Sequence, residues 1–140
     1  MNNPGLEQNF ARGGRSLEQL LRSVAELPGT QHEALGHFES SGRQYSLPRY
    51  TFRGPNSSDP IRIGIFAGIH GDEPAGALAA VRFLSEIARE PDFAENFLLQ
   101  IYPLCNPTGY EDNTRQSRRG KDLNREFWKS SAEPEIEIAP

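Results

Sequence analysis

The chain has 140 residues, 36% hydrophobic and 24% charged, and its formal net charge is −4 at pH 7. This size and composition are typical of a folded domain with its own core and exclude a disordered chain. The negative balance argues against a nucleic-acid partner, and no apolar run approaches the roughly 20 residues that span a membrane, so neither partner is expected.

Cysteine usage and the start of the chain bear on its location. Cys105 is the only cysteine, which rules out an internal disulfide and favours a reducing compartment. Residues 1–14 lack the charged-then-apolar layout of a secretory signal. A cytoplasmic location is therefore expected.

The first residues predict a flexible tail followed by a short helix. Residues 1–15 are polar and contain glycine, which is typical of a loose segment. Ser16-Leu17-Glu18-Gln19 resembles a capping box, and leucines at helical spacing follow until Leu27-Pro28-Gly29. This pattern predicts an amphipathic helix that packs on the body of the domain.

Two strands are predicted next. Residues 33–40 and 43–53 alternate partially between apolar and polar side chains and are joined near Ser41-Gly42. Pro48 cannot donate a ladder hydrogen bond, so it is expected at an edge or a bulge of the second strand.

A strand–helix–strand unit is predicted after the hairpin. Residues 61–69 are dominated by apolar and β-branched side chains and predict a buried central strand. Asp72 is the expected N-cap of a helix with Pro74 in its first turn, and residues 97–104 predict a second buried strand. A connection of this length indicates parallel pairing, so the expected fold is α/β, a mixed sheet flanked by helices.

Polar side chains follow both strands of this unit. His70 and Glu73 end the first strand, close enough in sequence to reach one cation, and both side chains are normal zinc ligands. Asn106-Pro107-Thr108-Gly109 is turn chemistry at the end of the second. In open α/β sheets ligands bind at this end of the strands.

Taken together, these motifs resemble the zinc carboxypeptidase superfamily. The resemblance rests on Gly68-Ile69-His70-Gly71-Asp72-Glu73, Asn106-Pro107-x-Gly109, Arg115 and Asp122-Leu123-Asn124-Arg125, in that order within residues 61–127. The compact spacing is closer to the succinylglutamate desuccinylase/aspartoacylase-like branch than to the digestive carboxypeptidases. The resemblance implies the N-terminal portion of that fold.

The family's roles transfer to matching positions. The resemblance implies that His70 and Glu73 are the first two ligands of a Zn²⁺ cofactor, and that Arg115 polarises the scissile carbonyl and stabilises the oxyanion. It also implies that Asn124 and Arg125 bind the free carboxylate of the substrate. A guanidinium suits this role because it forms a bidentate fork with a carboxylate.

Two expected parts of the family's site are not found in the sequence. The family takes its third zinc ligand, a histidine, and its general-base glutamate from positions well downstream of the DLNR motif. No histidine follows Arg125, and Glu133, Glu135 and Glu137 lie in an acidic stretch that predicts the start of a helix. Residues 16–140 are therefore expected to be a partial metallohydrolase domain, truncated at the C-terminus.

Alternatives remain open at several positions. Arg118 is the second choice for the oxyanion role, because it lies in the same basic loop as Arg115. Asp122 is expected to orient a neighbour or cap a turn, and His32 and His37 are expected to be structural or exposed.

Two classes of function fit the sequence. The first is a zinc-dependent hydrolase that cleaves an amide bond next to a free carboxylate, in either a small peptide or an N-acyl amino acid. The second is a non-catalytic fragment that binds zinc or a carboxylate ligand weakly. The chain alone is expected to be inactive, since a catalytic zinc site uses three protein ligands and a water.

Overall fold

The computed structural model describes residues 14–127 and 133–135, in which four strands form one open sheet flanked by helices. Short 3₁₀ turns occupy Arg22–Val24, Pro91–Ala94 and Leu123–Arg125. The helices and strands, in chain order, are α1 Leu17–Leu21, β1 Thr30–Ser40, β2 Arg43–Arg53, β3 Ile61–Phe66, α2 Pro74–Arg89, β4 Phe97–Tyr102 and α3 Pro107–Asp112.

The sheet has the order β1-β2-β4-β3 and is mixed. β3 and β4 are parallel, with Ile65 opposite Ile101, and the other neighbours are antiparallel. The predicted α/β class and the parallel strand–helix–strand unit are thus confirmed. The carboxyl ends of β3 and β4 lie side by side, so the polar residues that follow each strand converge.

β3 differs from the expected buried central strand. Among the described strands it is one of the two edge strands, hydrogen-bonded to β4 on one side, and Ile61 is 60% exposed. Its apolar composition suggested burial, but burial depends on what lies beside and above a strand. Ile65 alone of its side chains packs against the hydrophobic core.

The hairpin of β1 and β2 follows the prediction, with Ser41 and Gly42 at positive φ in the connecting turn. β2 lies between β1 and β4, but it pairs with β4 only through Tyr50–Arg53. Pro48 lies outside that stretch and faces Ala34 of β1 near a shift of register. Its missing N–H therefore interrupts no hydrogen bond to β4.

The core lies between α2 and the sheet. α2 buries one face along its length, and the side chains of that face pack against β2, β4 and the N-terminal turns. The cluster includes Leu20, Val24, Tyr50, Phe52, Ala77, Ala80, Val81, Leu84, Ile87, Leu99 and Ile101.

Ser16 caps α1 by accepting a hydrogen bond from the Gln19 amide at 3.1 Å, as predicted. Within the described part of the chain, no helix is both long and apolar enough to cross a bilayer.

Cys105 lies just beyond β4, only 3% exposed, and burial raises the pKa of its thiol to about 12. The thiolate is the reactive form, and a model thiol has a pKa of about 8.5. At pH 8 we expect Cys105 to react with a disulfide reagent roughly 10³-fold more slowly than free cysteine.

Reaction of Cys105 should become fast after unfolding in guanidinium, where the thiol is exposed. The measurement is the rate of colour release from the reagent, with free cysteine as the reference at the same pH. Rapid modification of the folded protein would contradict the buried placement.

Candidate functional site

A turn that carries His70 and Glu73 follows β3. Ala67 and Gly68 continue the ladder beyond the strand, since the Ala67 amide donates to the Tyr102 carbonyl and the Asn106 amide donates to the Gly68 carbonyl, both at 2.9 Å. Gly68 has a φ of +61°, and a Cβ there would come within 2.9 Å of Leu104. This reversal brings His70 Nδ1 to 3.5 Å from Glu73 Oε2.

The other nitrogen of His70 contacts Asp122. His70 Nε2 lies 3.1 Å from Asp122 Oδ1. An ionised carboxylate can only accept, so Nε2 carries the proton in this pair. A neutral imidazole then has its lone pair on Nδ1, which faces the Glu73 carboxylate.

Asp122 gathers several donors besides His70. Its Oδ1 accepts from the Asn124 amide at 3.2 Å, and its Oδ2 accepts from Arg115 Nε at 3.3 Å and lies 3.6 Å from Arg125 Nε. Burial opposes ionisation of Asp122, but the hydrogen bonds from His70 and Arg115 and the charge of the Arg115 guanidinium outweigh it and lower the pKa of the carboxyl. Asp122 therefore both orients a neighbour and caps a turn, as the sequence suggested.

Arg115 bridges the two sides of the site. Its Nη1 donates to Glu73 Oε1 at 3.1 Å while its Nε donates to Asp122. The side chain is 47% exposed, so the guanidinium contacts one predicted metal ligand, Glu73, and still faces solvent. Asn124 and Arg125 are exposed on the 3₁₀ turn that Asp122 caps. The structure thus brings all five predicted site residues to one region.

Arg118, the second choice for the oxyanion role, faces elsewhere. Its guanidinium binds Asp112 and Tyr45, whereas that of Arg115 binds Glu73 and Asp122. The two arginines are three positions apart in one loop, and only their tertiary partners tell them apart.

Two sequence expectations around the site need correction. The N-cap of α2 is Glu73, not Asp72, and Glu73 makes no side-chain capping bond because its carboxylate is engaged by Arg115. Asn106 begins a short helix, α3, rather than a simple turn, and its Oδ1 accepts from the Gly109 amide at 2.9 Å.

Asn106 also has contacts that the sequence did not reveal. It is fully buried, and its Nδ2 donates to the carbonyls of Ile69 at 3.1 Å and Arg115 at 3.4 Å. One amide therefore joins the His70 turn, α3 and the Arg115 loop. A polar residue at the carboxyl end of β4 was the available signal, but it carried no information about these partners.

The acidic residues near the C-terminus lie against other partners. Glu133 accepts from Ser117 Oγ at 3.0 Å and Glu135 accepts from Thr108 Oγ1 at 3.3 Å, and both glutamates are buried. Burial raises the pKa of Glu135. Glu137 lies outside the described residues.

On the hairpin of β1 and β2, His32 stacks on Tyr50 with ring centroids 4.6 Å apart.

The side chains of His70 and Glu73 fit part of a zinc site. The Nδ1 lone pair of His70 and the Glu73 carboxylate face each other at 3.5 Å, and a cation between them would bind both. A carboxylate on the far nitrogen of a metal-binding histidine is the usual way to fix that ring. Within residues 14–127 and 133–135, no group of three or more His, Cys, Asp or Glu side chains is arranged to hold a metal.

Comparison with known proteins supports the same family and fold. The family model for the succinylglutamate desuccinylase/aspartoacylase catalytic domain matches residues 60–138. The chain belongs to this family, within the metallocarboxypeptidase- and aspartoacylase-like hydrolases. The predicted family is thus confirmed. A search of curated proteins found no match.

Solved structures show the same architecture. An aspartoacylase family protein from Mesorhizobium loti is 26% identical over 81% of this chain and 35% of its own, with a TM-score of 0.59. A metallo-carboxypeptidase from Burkholderia cenocepacia is 25% identical over 86% of this chain and 35% of its own, with a TM-score of 0.64. This chain therefore spans about a third of the length of these structures.

A third structure agrees in fold alone. A succinylglutamate desuccinylase/aspartoacylase from Rhodobacter sphaeroides is 22% identical over 76% of this chain and 33% of its own, with a TM-score of 0.57. The mixed sheet flanked by helices is thus common to all three structures.

The backbone contact beneath the His70 turn can be tested with one methyl group. A Cβ on Gly71 would lie 1.9 Å from the carbonyl carbon of Gly109, so the backbone of the turn or of α3 must move. We expect Gly71→Ala to lower the free energy of unfolding by about 1–3 kcal/mol, the usual cost of overpacking.

Gly76→Ala is the matched control. Gly76 lies in α2, where a Cβ meets nothing nearer than 3.8 Å, so alanine should stabilise by up to about 1 kcal/mol. Urea unfolding followed by circular dichroism measures both variants. Equal stability of Gly71→Ala and the wild type would contradict the close approach.

Proposed function

We propose that this chain supplies two zinc ligands and the carboxylate-binding residues of a cytoplasmic zinc-dependent hydrolase that cleaves an amide bond next to a free carboxylate. The observation that carries the proposal is the arrangement around Asp122. This carboxylate holds His70 Nε2 at 3.1 Å and Arg115 Nε at 3.3 Å, while His70 Nδ1 faces Glu73 at 3.5 Å. This arrangement supports the proposal, because the side chains proposed to bind the metal lie near the arginine proposed to contact the substrate.

Each side chain has a role that follows from its contacts. His70 through Nδ1 and Glu73 through its carboxylate would hold the metal, and Asp122 keeps the proton on Nε2. When bound, zinc supplies a water whose pKa is lowered to about 7 and an electrophile that polarises the carbonyl. Arg115 donates to the developing oxyanion, a contribution of roughly 3–4 kcal/mol for one such donor.

The substrate's free carboxylate is assigned to Asn124 and Arg125. Both are exposed on the turn beside Asp122, and a guanidinium can bind a carboxylate through two parallel hydrogen bonds. A peptide and an N-acyl amino acid both carry this group. The structural relatives include a protein described as a metallo-carboxypeptidase and another described as an aspartoacylase family protein, so both substrate classes stay in the proposal.

A non-catalytic role is the second candidate. It is favoured by the number of candidate metal ligands: within residues 14–127 and 133–135 two side chains, His70 and Glu73, face the proposed metal position, whereas a catalytic zinc site uses three protein ligands. For the 140-residue chain alone we therefore expect zinc binding without hydrolysis. Release of a C-terminal residue from a peptide, or of an acyl group from an N-acyl amino acid, by the zinc-loaded chain would contradict this expectation.

Zinc binding is the direct test of the proposed ligands. We expect one zinc ion per chain, loss of binding in His70→Ala, and weaker binding in Glu73→Gln. Asp122→Asn should weaken binding about 10–100-fold, because a neutral amide oxygen is a weaker acceptor than a carboxylate for the N–H that fixes the imidazole. Competition with a chromophoric chelator measures the affinities.

His37→Ala is the matched histidine control, since His37 is exposed on β1. It should bind zinc as the wild type does. Zinc binding that survives in His70→Ala, or is lost in His37→Ala, would place the metal elsewhere and overturn the assignment.

The carboxylate site can be tested by ligand binding without catalysis. We expect Arg125→Ala to weaken binding of an N-acetyl amino acid about 10–100-fold, since a hydrogen bond to a charged group contributes about 1.5–3 kcal/mol. Arg125→Lys should restore little, because a single ammonium cannot form the two-pronged contact. Titration followed by NMR chemical shifts measures the affinity.

The corresponding amide of the same N-acetyl amino acid is the control ligand. It lacks the anionic group and should bind the wild type and Arg125→Ala equally weakly. Equal affinity of the wild type for the acid and the amide would remove the case for a carboxylate site.

A further inference from the structure

Behind the proposed site lies a set of charged and polar side chains to which no catalytic role has been given. Arg118 forks onto Asp112 of α3, with Nε 2.7 Å from Oδ2 and Nη2 2.6 Å from Oδ1. Both carboxylate oxygens are therefore engaged by one guanidinium. This geometry is more specific than a surface ion pair, because it fixes the plane of the arginine as well as its distance.

The same guanidinium reaches the hairpin through Tyr45. Arg118 Nη1 donates to the Tyr45 hydroxyl at 2.8 Å, and that hydroxyl donates to Glu111 Oε2 at 2.6 Å. The guanidinium also lies over the Tyr45 ring, 5.5 Å from its centroid. Tyr45 is buried, and Arg43 pairs with Glu111 at 2.5 Å, so β2, α3 and the loop are joined in one network.

Arg118 belongs to the loop that carries Arg115. The Arg118 amide donates to Thr108 Oγ1 at 3.1 Å, and the loop closes on itself where the Ser117 amide donates to the Lys121 carbonyl at 2.9 Å. At the other end, the carbonyl of Arg115 accepts from Asn106. The loop is thus attached at Arg118 on one side and faces Glu73 through Arg115 on the other.

We propose that Arg118 is a positioning residue that sets where the Arg115 guanidinium stands, by fixing their shared loop to Asp112 and Tyr45. The Arg115 side chain is about half exposed and makes its contacts through its guanidinium. The position of that guanidinium therefore depends on what holds the backbone of the loop, which is Asn106 at the Arg115 carbonyl and Asp112 and Tyr45 at Arg118. A loop that moves by about 1 Å can cost roughly 10²-fold in a reaction that depends on orientation. The consequence for substrate rests on the proposed function; the consequence for the loop does not.

The test compares Arg118→Gln, Arg118→Lys and Tyr45→Phe with the wild-type chain. The first readout is hydrogen exchange at the hydrogen-bonded loop amides of Thr114, Ser117 and Gly120. We expect Arg118→Gln to speed exchange there at least 10-fold while amides of β4 and α2 change little. Arg118→Lys should not restore protection, since an ammonium cannot make the two parallel hydrogen bonds to Asp112. Tyr45→Phe should increase the exchange rate by an intermediate amount.

The second readout is binding of the N-acetyl amino acid probe. We expect Arg118→Gln to lower the affinity for this probe about 10-fold, in the same direction as Arg115→Ala. Arg118 itself makes its side-chain hydrogen bonds to Asp112 and Tyr45, not to His70 or Glu73. Arg82→Gln is the control for loss of a positive charge, because Arg82 is 83% exposed on α2 and pairs only loosely with Glu86 at 3.8 Å. It should leave both readouts unchanged.

The outcomes separate the positioning role from the proposed function. Unchanged loop exchange in Arg118→Gln, or a uniform increase across β4 and α2, overturns the positioning role and leaves only a structural one. Should Arg118→Gln fail to fold, Arg118→Lys and Tyr45→Phe decide by the same criterion. If the wild type does not bind the probe, the proposed function fails. The hydrogen-exchange rates of the loop amides still test the positioning role of Arg118, because they do not depend on probe binding.

Discussion

The site depends on one carboxylate, that of Asp122, which receives donors from residues far apart in the chain. His70 follows β3, Arg115 belongs to the loop after α3, and Arg125 lies on the turn that Asp122 itself caps. A partly buried carboxylate is costly to desolvate unless it is hydrogen-bonded, so satisfying Asp122 draws these groups together. The direction of His70 Nδ1 follows from this contact, because the carboxylate fixes the proton on the opposite nitrogen.

A close approach of two backbone segments holds the residues around Asp122 in fixed positions. Gly71 of the His70 turn lies against Gly109 of α3 with no room for a side chain on either, and the buried Asn106 amide links the turn to the Arg115 loop. Arg15 adds a contact from before α1, since its Nη1 donates to the Gly71 carbonyl at 2.5 Å. The sheet ends, α3 and the loop therefore behave as one packed unit, which suits groups that must keep fixed distances.

Sequence patterns could predict the elements whose causes are local, and they missed those whose causes are tertiary. The helical periodicity of α2, the Ser16 cap and the parallel pairing of β3 with β4 follow from residue spacing and connection length. The outer position of β3 does not, because its composition is that of a buried strand. Asp72 and Glu73 are both reasonable N-caps, and the choice depends on Arg115, 42 positions away.

The sharing of Asp122 among several donors also affects the charge of the site, which matters for the proposed binding of an anion. Asp122 and Glu73 carry two negative charges, and Arg115 and Arg125 carry two positive ones, so these four side chains alone are neutral. A divalent cation on His70 and Glu73 would make the same set positive, which favours a substrate carboxylate and a developing oxyanion. An Asp122 carboxylate without these hydrogen-bond donors would repel an anionic ligand at close range. In the structure its oxygens accept hydrogen bonds from the imidazole, a backbone amide and Arg115. The Arg125 guanidinium, whose Nε lies 3.6 Å from Asp122, is exposed and accessible to the carboxylate that we propose as its ligand.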